Sequence, residues 1–229
     1  MYRKNLRCVG AAAFGIVAGL AGAGGSAEAA IVYSNSFDDG TAVGWSSAIT
    51  DVTPSGRRFL GQFGNGGTTL TLNDLVVGDT LRLDFDLYCI NTWDGEATQW
   101  GPDIWRVGVV GGPELLRASF AIGDDSVGVG TQSYPGVDRG GPFPGRFLAD
   151  ENNTLGYIYM GQFLRDAVWH VVLDTPVTAA TMSISFEASG LQPIFDESWG
   201  LDGFSASLVP APGSLALLGL AGFTLRRRR

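Results

Sequence analysis

The sequence predicts an all-β protein, an antiparallel β-sandwich, and three observations predict it. Apolar and polar residues alternate with a period of two in many short stretches. Clusters of Gly, Asn, Asp and Pro separate those stretches, with 34 glycines among 229 residues. No segment sustains the 3.6-residue period of an amphipathic helix. In chain order, strands are expected at 31–37, 59–63 and 68–72. In TLRLDFDLYCI, Leu81, Leu83, Phe85, Leu87 and Cys89 fall on one face, while Arg82, Asp84, Asp86 and Tyr88 fall on the other. Trp105, Val107 and Val109 alternate next, followed by expected strands at 115–120, 157–163 and 168–173. In TMSISFE, Met182, Ile184 and Phe186 oppose Thr181, Ser183, Ser185 and Glu187; a last strand is expected at 203–208. About ten strands in ~180 residues suit a two-sheet sandwich that buries its core without disulfides. The segment 121–153 breaks this rhythm with Gly, Pro and Asp, and reads as a long loop of the kind that often carries function.

The two ends read differently from the body. At the N-terminus, Arg3, Lys4 and Arg7 precede an apolar stretch and then small residues, with Ala27-Glu28-Ala29 offering an A-x-A cleavage site. That order of parts is a secretory signal peptide over 1–29, delivered to the secretion machinery, and its apolar run is too short to span a bilayer. The body, 30–208, then keeps eight of the 15 basic residues, all of them Arg, and 22 of the 23 acidic ones, a formal charge of about −14. Such a surface repels phosphates, which excludes a nucleic-acid partner and favours solubility and cations. Cys89 is the one cysteine left, so no intramolecular disulfide can form, and it reads as a small buried hydrophobe. His170, the lone histidine, reads as a strand residue rather than a catalytic base or zinc ligand.

The chain closes with VPAPGSLALLGLAGFTLRRRR over 209–229. This segment resembles the PEP-CTERM sorting signal of bacterial surface proteins: a proline motif (Pro210, Ala211, Pro212), an apolar run, and a basic terminus (Arg226, Arg227, Arg228, Arg229). Ala211 stands where that family usually has glutamate. The resemblance implies recognition and cleavage near the prolines by an exosortase-type membrane protease, then residence at the cell surface or in the extracellular matrix. The apolar run 215–225 is ~16 Å long as a helix, short of a ~30 Å hydrocarbon core, so it reads as a transient transmembrane stop rather than a durable anchor. Terminal arginines stay on the cytoplasmic side, which leaves the body outside. The body itself, through NSFDDGTAVGW, DFDLYCINTWDG, GPDIWRV and DESWGLDGFSASL, resembles bacterial secreted jelly-roll modules, a class that includes lectin-like and carbohydrate-binding modules.

Two constellations carry candidate chemistry. Asp202 shares the phase of Phe204, Ala206 and Leu208, and an ionised carboxylate facing a core is costly unless it is paired or cation-bound. If the first and last strands are neighbours, Asp38 or Asp39 approaches it, and with Glu197 these oxygens suit Ca²⁺; the competing reading has Asp202 bonding backbone amides in a turn. No EF-hand loop or phosphate loop occurs. The second constellation is NTWDGEATQWGPDIW, where Trp93 and Trp100, with Asp94 and with Asp86 from the strand before, offer stacking faces and acceptors for a glycan. Glu96 and Asp103 accompany them, and Trp105 reads as core. The functional expectation is a non-catalytic structural or adhesive protein with weak affinity for extracellular polysaccharide. The alternatives are a carbohydrate-active hydrolase, which needs two carboxylates flanking a cleft, and a structural surface protein with no ligand.

Overall fold

The computed structural model describes residues 29–97, 99–122, 132–134 and 151–211. The leader, the tail beyond Ala211 and most of the 121–153 loop lie outside the described residues. Thirteen strands follow one another: β1 (Ala30–Asn35), β2 (Thr50–Val52), β3 (Arg58–Phe63), β4 (Gly66–Leu72), β5 (Thr80–Asn91), β6 (Ile104–Val109), β7 (Glu114–Ser119), β8 (Glu151–Asn152), β9 (Ile158–Tyr159), β10 (Phe163–Leu164), β11 (Asp166–Pro176), β12 (Met182–Ser189) and β13 (Glu197–Val209). Among the described residues there is no helix.

Two antiparallel sheets face each other. A seven-stranded sheet runs β2-β3-β13-β5-β11-β8, with β1 also pairing to β13; a four-stranded sheet runs β4-β12-β6-β7. β9 and β10 form a separate hairpin. The first and last strands are neighbours, with Asn35 opposite Phe204.

The alternation in β5 is realised as predicted: Leu81, Leu83, Phe85, Leu87 and Cys89 are fully buried between the sheets. Phe85 is the hub. Its ring stacks on Phe204 of β13 with centroids 5.6 Å apart, and it meets Phe186 of β12 edge-on at 5.7 Å and Trp105 of β6 at 5.9 Å. Burying each such side chain contributes about 1.5–3 kcal/mol, so this aromatic cluster is what clamps the sheets together. Tyr88 lies on the outer face as its phase requires, yet it is buried too. It forms a second small core with Phe59, Ile90, Leu155 and Val168, covered by the 153–157 segment. Buried Asp166 pins that cover by accepting backbone N–H bonds from Leu155, Gly156 and Tyr157 at 3.0–3.1 Å.

The single strand expected at 157–163 is instead the β9–β10 hairpin, folded back around Met160 and Gly161. The last strand begins six residues earlier than expected, at Glu197. A register shift between Asp202 and Ser205 also corrects the phase of Asp202. The bulge turns its carboxylate to the outer face, opposite Asp86, where it accepts a short hydrogen bond from the Tyr88 hydroxyl and a 2.7 Å bond from the Gly203 amide. Burial holds the Asp202 pKa above the usual carboxylate range, against the Tyr88 bond, which lowers it.

Candidate functional site

The inward phase of β5 does not stop at Cys89; it runs on to Asn91. The inward phase of β13, read back from Leu201 and Trp199, runs to Glu197. These two residues face each other across the β5–β13 ladder. The apolar core therefore ends in polar side chains, and the chain beyond β5 adds more. Asn91, at φ 66°, turns the strand into the NTWDG loop. Trp93 drops back into the core, its Nε1 donating to the Ser198 carbonyl at 2.9 Å and its ring edge-on to Phe120. That anchor sets Asp94 beside Asp103, whose Oδ2 accepts a short hydrogen bond from the Asp94 amide. The Asp103 amide in turn donates to the Gly95 carbonyl at 2.7 Å, closing the loop.

The result is a cluster of three buried carboxylates, Asp94, Asp103 and Glu197, each offering an oxygen within 4.8 Å of the others. Asp103 and Glu197 are completely inaccessible. Gln192 bridges the cluster to the surface: its amide N–H donates to Glu197 Oε2 at 2.6 Å, and its side chain donates to Asp94 Oδ2 and to the Trp100 carbonyl, each at 3.1 Å. Among the described residues, none forms an ion pair with any of the three acids. Burial pushes all three pKa values up. Asp94 rises to about 6, with desolvation the main cause and Asp196 the repelling neighbour. Asp103 and Glu197 rise by desolvation first, and then because each faces another carboxylate. Fully buried Cys89 belongs to the same surroundings, its thiol pushed up by desolvation and by the Asp103 charge.

The expected site residues scatter differently. Glu197 joins Asp94 and Asp103, not Asp202. Asp38 and Asp39 are exposed in the turn after β1, where Asp39 accepts bonds from the Thr41 amide and hydroxyl, which lower its pKa. Asp38 lies near enough to Asp202 to repel it, so the structure places these two, but not Glu197, at one locus. Of the glycan candidates, Trp93 is corrected: with no exposed surface, its ring faces serve the core and not a ligand. Asp94 is likewise buried. Asp86 lies on the outer face of the seven-stranded sheet, 3.0 Å from His170 Nδ1, away from the others. Trp100 alone presents a ring, 48% exposed. Asn91 went unnoticed in the sequence, although the unbroken inward phase of β5 was a signal for it.

Around the cluster the end of the sandwich carries further exposed rings. Phe195 is 76% and Phe163 45% exposed. The Phe195 carbonyl accepts from Asn91 Nδ2 at 3.0 Å, and Asp196 accepts from the Thr92 hydroxyl at 2.7 Å. The β10 end is tied to the same place, since the Asn91 amide donates to the Arg165 carbonyl at 2.8 Å.

No family model matches the chain. No curated protein matches it either. Among solved structures, it is similar to the CBM22-1 xylan-binding domain of Xyn10C from Paenibacillus barcinonensis, with 14% identity, a TM-score of 0.38, and coverage of 80% of this chain and 97% of that one.

Proposed function

We propose that this protein is an exported, surface-sorted β-sandwich that makes weak contacts with extracellular polysaccharide through one end of the sandwich. Three features support the reading. The leader and the PEP-CTERM-like tail frame the body for export and for an exosortase-type protease. The strongly acidic body suits an extracellular life among neutral or cation-bridged polymers. The observation that carries the binding role is Trp100: a half-exposed indole on a loop whose backbone is fixed through Gln192 to the buried carboxylates. A ring carried on a fixed backbone, in a molecule that also exposes Phe163 and Phe195, is suited to stack on the apolar face of a sugar. Single contacts of this kind are weak, and many copies on one surface make them effective. A hydrolytic role finds less support, because a glycosidase pair must border a cleft, and Asp103 and Glu197 are sealed from solvent.

Affinity electrophoresis of the purified chain in gels containing neutral and acidic polysaccharides tests this. Retardation by at least one polymer is expected, and Trp100→Ala should abolish most of it without lowering the melting temperature. Equal retardation of the variant and the unaltered chain, or none for either, would remove the glycan reading.

A further inference from the structure

We infer that Asp94, Asp103 and Glu197, with Asn91 paired opposite Glu197 across the β5–β13 ladder, form a binding site for one Ca²⁺ ion at the end of the sandwich. The site stands on its own geometry and requires no glycan.

The argument begins with how each side chain is held. Every one of these residues has a forked end, and in each case one atom of the fork is fixed by the protein. Asp103 Oδ2 takes the Asp94 amide, Glu197 Oε2 takes the Gln192 amide, Asp94 Oδ2 takes the Gln192 side chain, and Asn91 Nδ2 donates to the Phe195 carbonyl. The other atom is left over. Asp103 Oδ1, Glu197 Oε1 and Asn91 Oδ1 are all buried and receive no hydrogen bond from outside the carboxylate cluster, where Glu197 is the partner of Asp103, and all three residues are more than nine-tenths buried. A buried acceptor without a partner is costly, and a charged one more so; three on residues that the β5–β13 pairing and the carboxylate cluster bring together describe an unsatisfied donor set.

The chemistry of the set selects the occupant. All the donors are oxygens, and the carboxylates carry up to three negative charges with no cation paired to them among the described residues. Hard oxygen donors suit Ca²⁺ at ~2.3–2.6 Å, whereas zinc prefers histidine and thiolate. Two oxygens bound to a single Ca²⁺ lie at most about 5.2 Å apart, twice the longest Ca–O distance, and the three carboxylate oxygens, within 4.8 Å of one another, satisfy that limit as they stand. Mg²⁺ holds on to its waters and demands a tighter octahedron, so a buried set of protein oxygens favours the larger ion. Such an ion would join the end of β5, the 92–103 loop and the start of β13.

The test uses the metal-stripped full chain near neutral pH, titrated with CaCl₂ and with MgCl₂ by calorimetry and followed by thermal melts. One Ca²⁺ per chain is expected, with a rise of several degrees in the midpoint and a much weaker response to Mg²⁺. Glu197→Gln and Asp103→Asn should melt close to the unaltered chain in chelator, because each keeps the shape of the side chain and an oxygen for the backbone amide that holds it, yet lose ~100-fold or more in Ca²⁺ affinity, at or beyond the upper end of what an outer-shell partner is worth. Asp202→Asn should keep the full Ca²⁺ response, which separates this site from the Asp38–Asp202 locus. Should a variant not fold, Tb³⁺ luminescence excited through tryptophan decides with the unaltered chain and Asp202→Asn. Emission quenched by one equivalent of Ca²⁺ in both supports the site. The proposal is overturned by no Ca²⁺ binding to the stripped chain, by Ca²⁺ affinity unchanged in Glu197→Gln and Asp103→Asn, or by loss of binding in Asp202→Asn.

Discussion

Glu197 occupies a position in β13 whose phase belongs to the core, and that placement governs how the molecule responds to pH. A carboxyl whose native pKa is raised holds its proton in the folded state at a pH where the unfolded chain has already released it. The folded form then binds more protons, and stability falls as pH rises from the unfolded pKa through the folded one. The unfolded values are 3.8 for Asp94 and Asp103 and 4.5 for Glu197, and all three are raised on folding, Asp94 to about 6. In chelator, the melting temperature is therefore expected to drop steadily from about pH 4 upward. A flat or rising profile by calorimetry would show that the three acids are not buried together. The neighbouring Cys89 gives a second expectation at this scale: a thiol reagent should leave it untouched in native protein and modify it fully in denaturant.

At the scale of elements, the sequence carried the right rule to the wrong residue. A carboxylate does face the core from the last strand, at Glu197, but the bulge at Asp202–Ser205 inverts the phase of everything before it. Counting back from Phe204 by twos thus reaches Asp202, whereas the structure turns Asp202 out and Trp199 and Glu197 in. The Asp202-Gly203 pair was the available sign: Gly203, at φ 55°, supplies the left-handed residue that a bulge uses. Short strands such as β2 and β8, three and two residues long, were illegible because no period can be read in so few positions. The loops that build the cluster depend on one close approach. A Cβ at Gly190, which has φ +94°, would stand 2.0 Å from the Pro102 carbonyl oxygen. Gly190→Ala must push the 190–192 loop off the Pro102–Asp103 segment, and a loss of about 2 kcal/mol or more is expected in urea titrations, from backbone strain and overpacking together.

For the whole molecule, the two-sheet architecture was legible because period-two alternation is imposed by a half-buried sheet, and β5 and β12 display it without interruption. The site was legible only in part. Asp94, Trp100 and Glu197 were singled out, but their grouping depends on cross-strand register, which alternation does not encode. Topology in the cell remains a proposal with its own expectation. Protease added to intact cells should digest the body, and replacing Arg226 to Arg229 with neutral residues should leave a longer, uncleaved chain on immunoblots; a body protected in intact cells would contradict export.

The start of the tail is fastened to the domain. β13 runs to Val209, and the Ala211 amide donates to Asp79 Oδ1 at 3.2 Å, beside the turn that leads into β5. The proline motif thus begins at the rim of the folded body, with no leash between them. Under the proposed sorting route, a membrane protease reaching for Pro210–Pro212 must either seat itself against the sandwich or first pry the end of the last strand loose. Lengthening the chain between Val209 and Pro210 by a few flexible residues should accordingly speed trimming.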